Sequence, residues 1–308
     1  MDFLNDADDT ATLWRYMDLS KFLDLILHKK LVFPRYDKFE DPFEGYASNF
    51  MELVRKELQN NGFEDGGLNF GGSCFSDFVD ISNHYAYVSC WHHNDHESAG
   101  MWKLYCSTPE SLAIKTSVEA LKKSLSKNKE YNLIFSKVTY DSKLEGYAIK
   151  DLSNVNVFNA LLMKRESFDH EKEYRILLID NADRVKVLES HHQKCEDEMN
   201  AWFDEREIQI QELKKTGHSL SKAELTSKVS ELIMEKYIPT GTNLNIIISE
   251  LKKNRPIIKT VDLDLNTLIE EIVIAPYAPS WFVRTIEKLI SDLGYNFKVS
   301  QSKLYELS

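Results

Sequence analysis

The stretch Phe168-Asp169-His170-Glu171-Lys172-Glu173-Tyr174-Arg175-Ile176-Leu177-Leu178-Ile179 runs from a charged loop into an apolar strand. Tyr174 to Ile179 is read as the strand and Asp180-Asn181 as a turn. Arg184-Val185-Lys186-Val187-Leu188 is expected to form a further strand. Glu171 and Glu173 stand two residues apart at the strand mouth, so their side chains share a face. Two carboxylates on one face repel each other and raise the pKa of at least one, and Arg175 can neutralise the other. The alternative for the same residues is a surface charge ladder with no chemistry.

Working outward, Tyr85 to Trp91, Leu112 to Thr116 and Leu133 to Tyr140 read as strands. Leu13 to Met17, Leu31 to Phe33 and Phe297 to Val299 join them, as does Ile272 to Ala275 with Leu268-Ile269 before it. Helices are expected after Asp18, over 47–60, from Ser98 to Tyr105, from Val118 to Leu125, over 151–164 and from Trp281 to Leu293, with Gly294 ending the last. Pro34 to Gly45 carries turn residues throughout, and 61–73 holds five of the eleven glycines, so both read as loops. Residues 190–238 contain no proline and are dense in Glu, Lys and Gln. They read as two amphipathic helices broken near Gly217 and His218. Short strands with interspersed helices, without regular βαβ spacing, point to an α+β fold: a single domain over 1–308 with a helical insertion at about 190–238. Neither a GxGxxG turn nor a P-loop motif occurs.

The 308 residues carry a net charge of −11, and 43% are hydrophobic. The chain can bury a large core, and its negative field restricts nucleic-acid contact to local patches such as Lys122-Lys123 with Lys127 and Lys129. No apolar run is long enough to span a membrane, and Met1 to Asp9 lacks the pattern of a signal peptide. A cytoplasmic protein with no membrane contact and free thiols at Cys74, Cys90, Cys106 and Cys195 is therefore expected.

Two further segments hold reactive or binding residue types. Arg15 and Tyr16 lie in an apolar strand, and Arg35 and Tyr36 follow a second one. A buried arginine needs an anion: a bound phosphate or carboxylate, or an internal partner such as Asp37, Asp41 or Glu44. Ser89-Cys90-Trp91-His92-His93 and Met101-Trp102-Lys103-Leu104-Tyr105 are rich in aromatics suited to stacking on a flat ligand. No second ligand pair follows Cys90 and its histidines at metal spacing, so no metal is expected.

Leu13-Trp14-Arg15-Tyr16, Asp41-Pro42-Phe43-Glu44, Ser89-Cys90-Trp91 with Met101 to Tyr105, Lys164 with Glu171 to Ile176, and Ile272 to Pro276 occur in this order. Together they resemble the bacterial domain-of-unknown-function 2971 family. More distantly, the order of a strand with Arg, a strand with Ser and a strand with ExE is similar to ADP-ribosyltransferases, with Ser89-Cys90-Trp91 standing where many members carry Ser-Thr-Ser. That resemblance implies a split β-sheet core with flanking helices. It implies NAD as substrate and transfer of ADP-ribose to a protein or nucleic acid, by a toxin or antiviral-defence effector. Glu173 would be catalytic, with Glu171 acting on the acceptor. Arg15, Tyr16, Arg35, Tyr36, Ser89 and Trp91 would hold NAD, and 190–238 could meet an inhibitor or antitoxin protein. The rival expectation is a non-catalytic partner-binding module whose NAD-like cleft is degenerate.

Overall fold

Burial on both faces explains why Tyr174 to Ile179 lacks apolar–polar alternation. The strand Glu173–Ile179 (β9) is buried along its whole length and lies between Ala86–His93 (β4) and Asn132–Lys137 (β6), antiparallel to both. Tyr174, Ile176 and Leu178 join the main apolar core on one side. Leu177 and Ile179 meet Phe158, Leu161 and Leu162 on the other. The computed structural model describes residues 2–3, 5–39, 41, 44–45, 77–141, 157–234 and 242–305.

The other described strands are Asp2–Phe3 (β1), Thr12–Asp18 (β2), Lys30–Pro34 (β3), Ser111–Ser117 (β5), Thr139–Asp141 (β7), Met163–Arg165 (β8), Ile258–Asp262 (β10), Glu271–Ile274 (β11) and Lys298–Gln301 (β12). Eight of the twelve form one sheet in the order β1-β6-β9-β4-β2-β5-β11-β12. Its pairings are antiparallel except β1–β6 and β11–β12. The fold is therefore α+β. Its middle seam is thin: β2 and β4 share the pairs Leu13–His93 and Trp14–His92, whereas β2–β5 and β4–β9 are each paired over seven residues. Four-stranded halves thus meet at one joint. Beyond the joint the other end of β4 turns to β3, where Arg35 bridges Tyr87.

Helices cover this frame. Leu19–His28 (α1) buries Phe22, Leu25 and Ile26 and ends at Lys29 in the left-handed region. Asp18 stands at its N-terminus, but its carboxylate accepts from Ser107 instead of capping. Residues 77–83 (α2) are helical. Ala99–Tyr105 (α3) and Val118–Ser124 (α4) are capped by the Ser98 and Ser117 hydroxyls. After Leu265–Leu268 (α8), Ser280–Asp292 (α9) packs through Phe282, Ile286 and Ile290, and Gly294 at φ +79° ends it.

Several expectations are corrected. Arg184–Leu188 is not a strand but the first turns of a 33-residue helix, Arg184–Thr216 (α5). Its alternating basic and apolar residues suit either state, and packing of Leu188 on Ile81, Tyr85, Ile247 and Leu251 selects the helix. Asn159–Leu162 is a 3-10 turn leading into β8 rather than part of a longer helix, and Leu268 ends a short helix. Thr242–Asn254 (α7) and β10 are additional elements. The break at 217–221 stands where expected, before Lys222–Met234 (α6). The expected helix over 47–60, the loop over 61–73, residues 151–156 and Cys74 lie outside the described residues.

Candidate functional site

The ExE pair is part of a buried charge cage. Lys172 adopts φ 41°, in the left-handed region, between the 3-10 turn Glu166–Glu171 and β9, which swings Glu171 back over the strand mouth. The Lys164 ammonium on β8 then lies 2.9 Å from Glu44, 3.0 Å from Glu171 and 2.9 Å from Glu173. Arg175 donates to Glu173 at 2.6 Å, to Glu44 at 2.7 Å and to the Leu161 carbonyl at 2.6 Å. Gly45 lets the Glu44 corner fit. Its φ is +71°, and a Cβ there would stand 2.7 Å from the Leu161 side chain.

Three carboxylates face two cations, so one carboxylate is in excess, and Glu171 is the one whose ionisation is made harder. Burial, then the neighbouring Glu173 carboxylate, pushes Glu171 up to about 7. Burial opposes ionisation of Glu173 as well, but the Arg175 guanidinium and the Lys164 ammonium outweigh it and hold that carboxyl well below the usual range. Adjacent carboxyls with separated pKa values are the arrangement that acid–base chemistry uses. Tyr105 donates to Glu171 at 3.4 Å, and the Tyr140 hydroxyl accepts from the Glu173 backbone N–H at 2.8 Å. Burial pushes the Cys90 thiol, on the same face, well above its ordinary value, so it is not an activated nucleophile.

Glu173 also borders an open cleft of about 350 Å³ around the ends of β4 and β9. Its wall includes His93, Asp95, Lys137, Tyr140, Asp169 and Lys172. His93 belongs to the opposite pleat of β4 from His92 and Glu173 (partners across the register), so residues from both faces of the sheet meet there.

The other face of the joint is unsaturated. Arg15 lies on β2, with its guanidinium 5.3 Å from the Trp91 ring centre. Ser89 and Trp91 project from the same face of β4 and are each 2% exposed. Among the described residues, Arg15 Nη1, Ser89 Oγ and Trp91 Nε1 are out of water and have no hydrogen-bond partner. Desolvation of the guanidinium brings Arg15 down to about 10. Arg15 is half-buried, so the cost falls on the shielded Nη1 edge of its guanidinium, and an anion drawn to that edge would recover it.

Arg15 meets Trp91, and Ser89 lies on the same face of β4 two residues away; Glu171 and Glu173 belong to the opposite face, so the expected NAD-holding and catalytic residues are split across the sheet. The remaining candidates are used by the fold. Arg35 is clamped by both Asp37 oxygens, at 2.7 and 3.0 Å, and by the Lys252 and Arg255 carbonyls. Tyr36 packs edge-on against His84, and the Tyr16 hydroxyl accepts from the Ser98 N–H at 2.8 Å. Glu44 is an ion-pair partner as the sequence allows, but of Arg175 and Lys164 instead of Arg15 or Arg35, and Lys164 is a cage residue with no role assigned from sequence. Their signal was a lysine before ExExR and an acidic turn after a proline, neither of which shows convergence until the chain folds. His92 was likewise passed over; its Nδ1 lies 2.6 Å from the Glu171 carbonyl and fixes the turn behind the ExE pair.

A family model described as a protein of unknown function, DUF2971, matches residues 101–176, which include Trp102, Lys164 and the ExExR segment. No curated protein and no solved structure matches the chain. Among the described residues, no helix is long and apolar enough to cross a membrane.

Proposed function

We propose that the joint between the sheet halves is a dinucleotide site, and that the protein transfers ADP-ribose from NAD to a macromolecule, as a toxin or defence effector. The observation that carries this reading is the set of buried, unpartnered donors on Arg15, Ser89 and Trp91 where β2 and β4 diverge. Arginine over an indole offers charge to a pyrophosphate, and the indole and hydroxyl offer further donors to phosphate or ribose. The resemblance to ADP-ribosyltransferases implies a split core, and the short β2–β4 pairing within the one eight-stranded sheet is the feature that supports reading it so.

The chemistry would centre on Glu173. Breaking the nicotinamide–ribose bond moves positive charge onto the ribose, and a fixed, ionised carboxylate at the cleft wall stabilises it. Lys164 and Arg175 keep Glu173 ionised and in place, so it needs no reorganisation during the reaction. Glu171, titrating near neutrality, would take the proton of the acceptor nucleophile as it attacks the ribose carbon and nicotinamide leaves. The ligand would enter by the cleft around the strand ends, which His93 and Glu173 line, and Arg15, Ser89 and Trp91, which are not in its wall, would have to open toward it.

A second reading has its own observation. Both Glu173 oxygens are already held, one by Lys164 and one by Arg175. On that basis the cage is structural, and the joint binds a nucleotide or a partner without chemistry. Nicotinamide release and NAD binding, measured on wild type, Glu173→Gln and Arg15→Met in lysate with NAD added, separate the two. Transfer requires release by wild type and loss in both variants. Binding without release, abolished only by Arg15→Met, supports the second reading. No NAD binding by folded wild type contradicts transfer and the nucleotide form of the second reading.

A further inference from the structure

We propose that Asp77, His191 and Cys195 form a site for a divalent transition-metal cation of the zinc class, fastening the root of the long helix to the body of the domain. This inference is independent of the NAD reading. His191 and Cys195 are one helical turn apart on α5, and Asp77 is at the first described position of α2. The helices are held together at this level by Ile81, Tyr85 and Leu188, with Ile247 and Leu251 of α7 closing the cluster. His191 is buried in the interface, with Cys195 and Asp77 at its edge.

The geometry favours a cation over a catalytic relay. His191 Nε2 is 2.9 Å from Asp77 Oδ2 and 3.6 Å from Cys195 Sγ. In a thiol–imidazole–carboxylate relay the acid holds one ring nitrogen and the thiol the other. Here both groups converge on the same nitrogen, which carries one proton at most. Three donor atoms within 4.8 Å of one another are instead arranged around a common centre. With Zn–N near 2.05 Å and Zn–S near 2.3 Å, tetrahedral angles place the nitrogen and sulfur about 3.6 Å apart. The N···O edge would lengthen by about 0.4 Å to about 3.3 Å, and the O···S edge, within 4.8 Å, would settle at about 3.6 Å.

The donor set also selects the ion. One thiolate, one imidazole and one carboxylate suit a borderline cation such as Zn²⁺ and are poor for Mg²⁺ or Ca²⁺, which take oxygen ligands. On binding, the Cys195 thiol loses its proton to solvent, and His191 presents its Nε2 lone pair with the ring proton on Nδ1. Among the described residues these three are the group, and tetrahedral coordination takes a fourth ligand beyond them. Beyond Cys195, α5 is largely exposed, so its root is where a cross-link matters most.

The test uses the full chain, stripped with a chelator and titrated with Co²⁺ and then Zn²⁺ alone. One equivalent of Co²⁺ is expected to give a thiolate-to-cobalt charge-transfer band in the near ultraviolet, which Zn²⁺ abolishes. Zn²⁺ is also expected to raise the melting temperature, reversibly with chelator. Cys195→Ser, at a partly exposed position, should keep the far-ultraviolet circular dichroism, lose the band and bind Zn²⁺ at least tenfold more weakly. Asp77→Asn should weaken Zn²⁺ by a similar factor. Absence of the band in folded wild type, or a Cys195→Ser protein that keeps wild-type Zn²⁺ affinity, overturns the proposal.

Discussion

Arg175 and Arg15 rise from strands of the same sheet, and their surroundings are opposite. Arg175 is enclosed by Glu173, Glu44 and a carbonyl, with Lys164 sharing the same carboxylates. Arg15 has an indole face and no carboxylate among the described residues. A saturated cage fixes the fold locally, because every charge in it has been taken from water and repaid within the chain. An unsaturated one keeps binding capacity for something outside the chain. The contrast separates residues that build the joint from those that use it.

The largest break should come from the cage. Arg175→Met leaves Glu44 and Glu173 buried beside a single cation and is expected to cost about 3–5 kcal/mol in denaturant unfolding. Arg15→Met should do the reverse. It removes an uncompensated cation, so stability is expected to stay level or rise by about 1 kcal/mol, while NAD affinity falls at least tenfold. A large loss of stability in Arg15→Met would erase the distinction between the regions.

The pH dependence sharpens the comparison inside the cage. Glu171 is raised to about 7 from an ordinary 4.5, so the folded state holds an extra proton between those values. Stability contributed by that proton falls as pH rises through this window. Glu173 is shifted the other way; its contribution is present above about 4.5 and is lost on acidification below it. Glu171→Gln should flatten the upper limb of a stability–pH profile and leave the acid limb. The smallest effect is expected on the arm: Phe203, more than half exposed on α5, should tolerate Phe203→Ser within about 0.5 kcal/mol.

Local patterns carried much of this into the sequence. The apolar run Tyr174–Ile179, the Ser98 helix start, the Gly294 stop and the break after Thr216 each follow from neighbours in the chain. So did the carboxylate pair with Arg175 on its face and one raised pKa. Long-range partners were not legible. Arg35 and Arg15 look alike in sequence, each beside a tyrosine at an apolar strand, yet Asp37 closes on the first and, among the described residues, no carboxylate closes on the second. Lys164 and Glu44 meet 120 residues apart in sequence. The His191-x-x-x-Cys195 spacing was present, but its third member, Asp77, lies 114 residues away, so a search for paired ligands around Cys90 could not find it.

The proposal gives Arg15, which has no carboxylate partner among the described residues, to a ligand. Its most direct test is calorimetric titration of NAD into wild type and Arg15→Met, with thermal unfolding of both proteins without ligand. The account predicts that wild type binds NAD, that the variant binds at least tenfold more weakly, and that the variant melts no lower than wild type. Equal NAD binding by the two proteins, or an Arg15→Met protein that melts far below wild type, would contradict it.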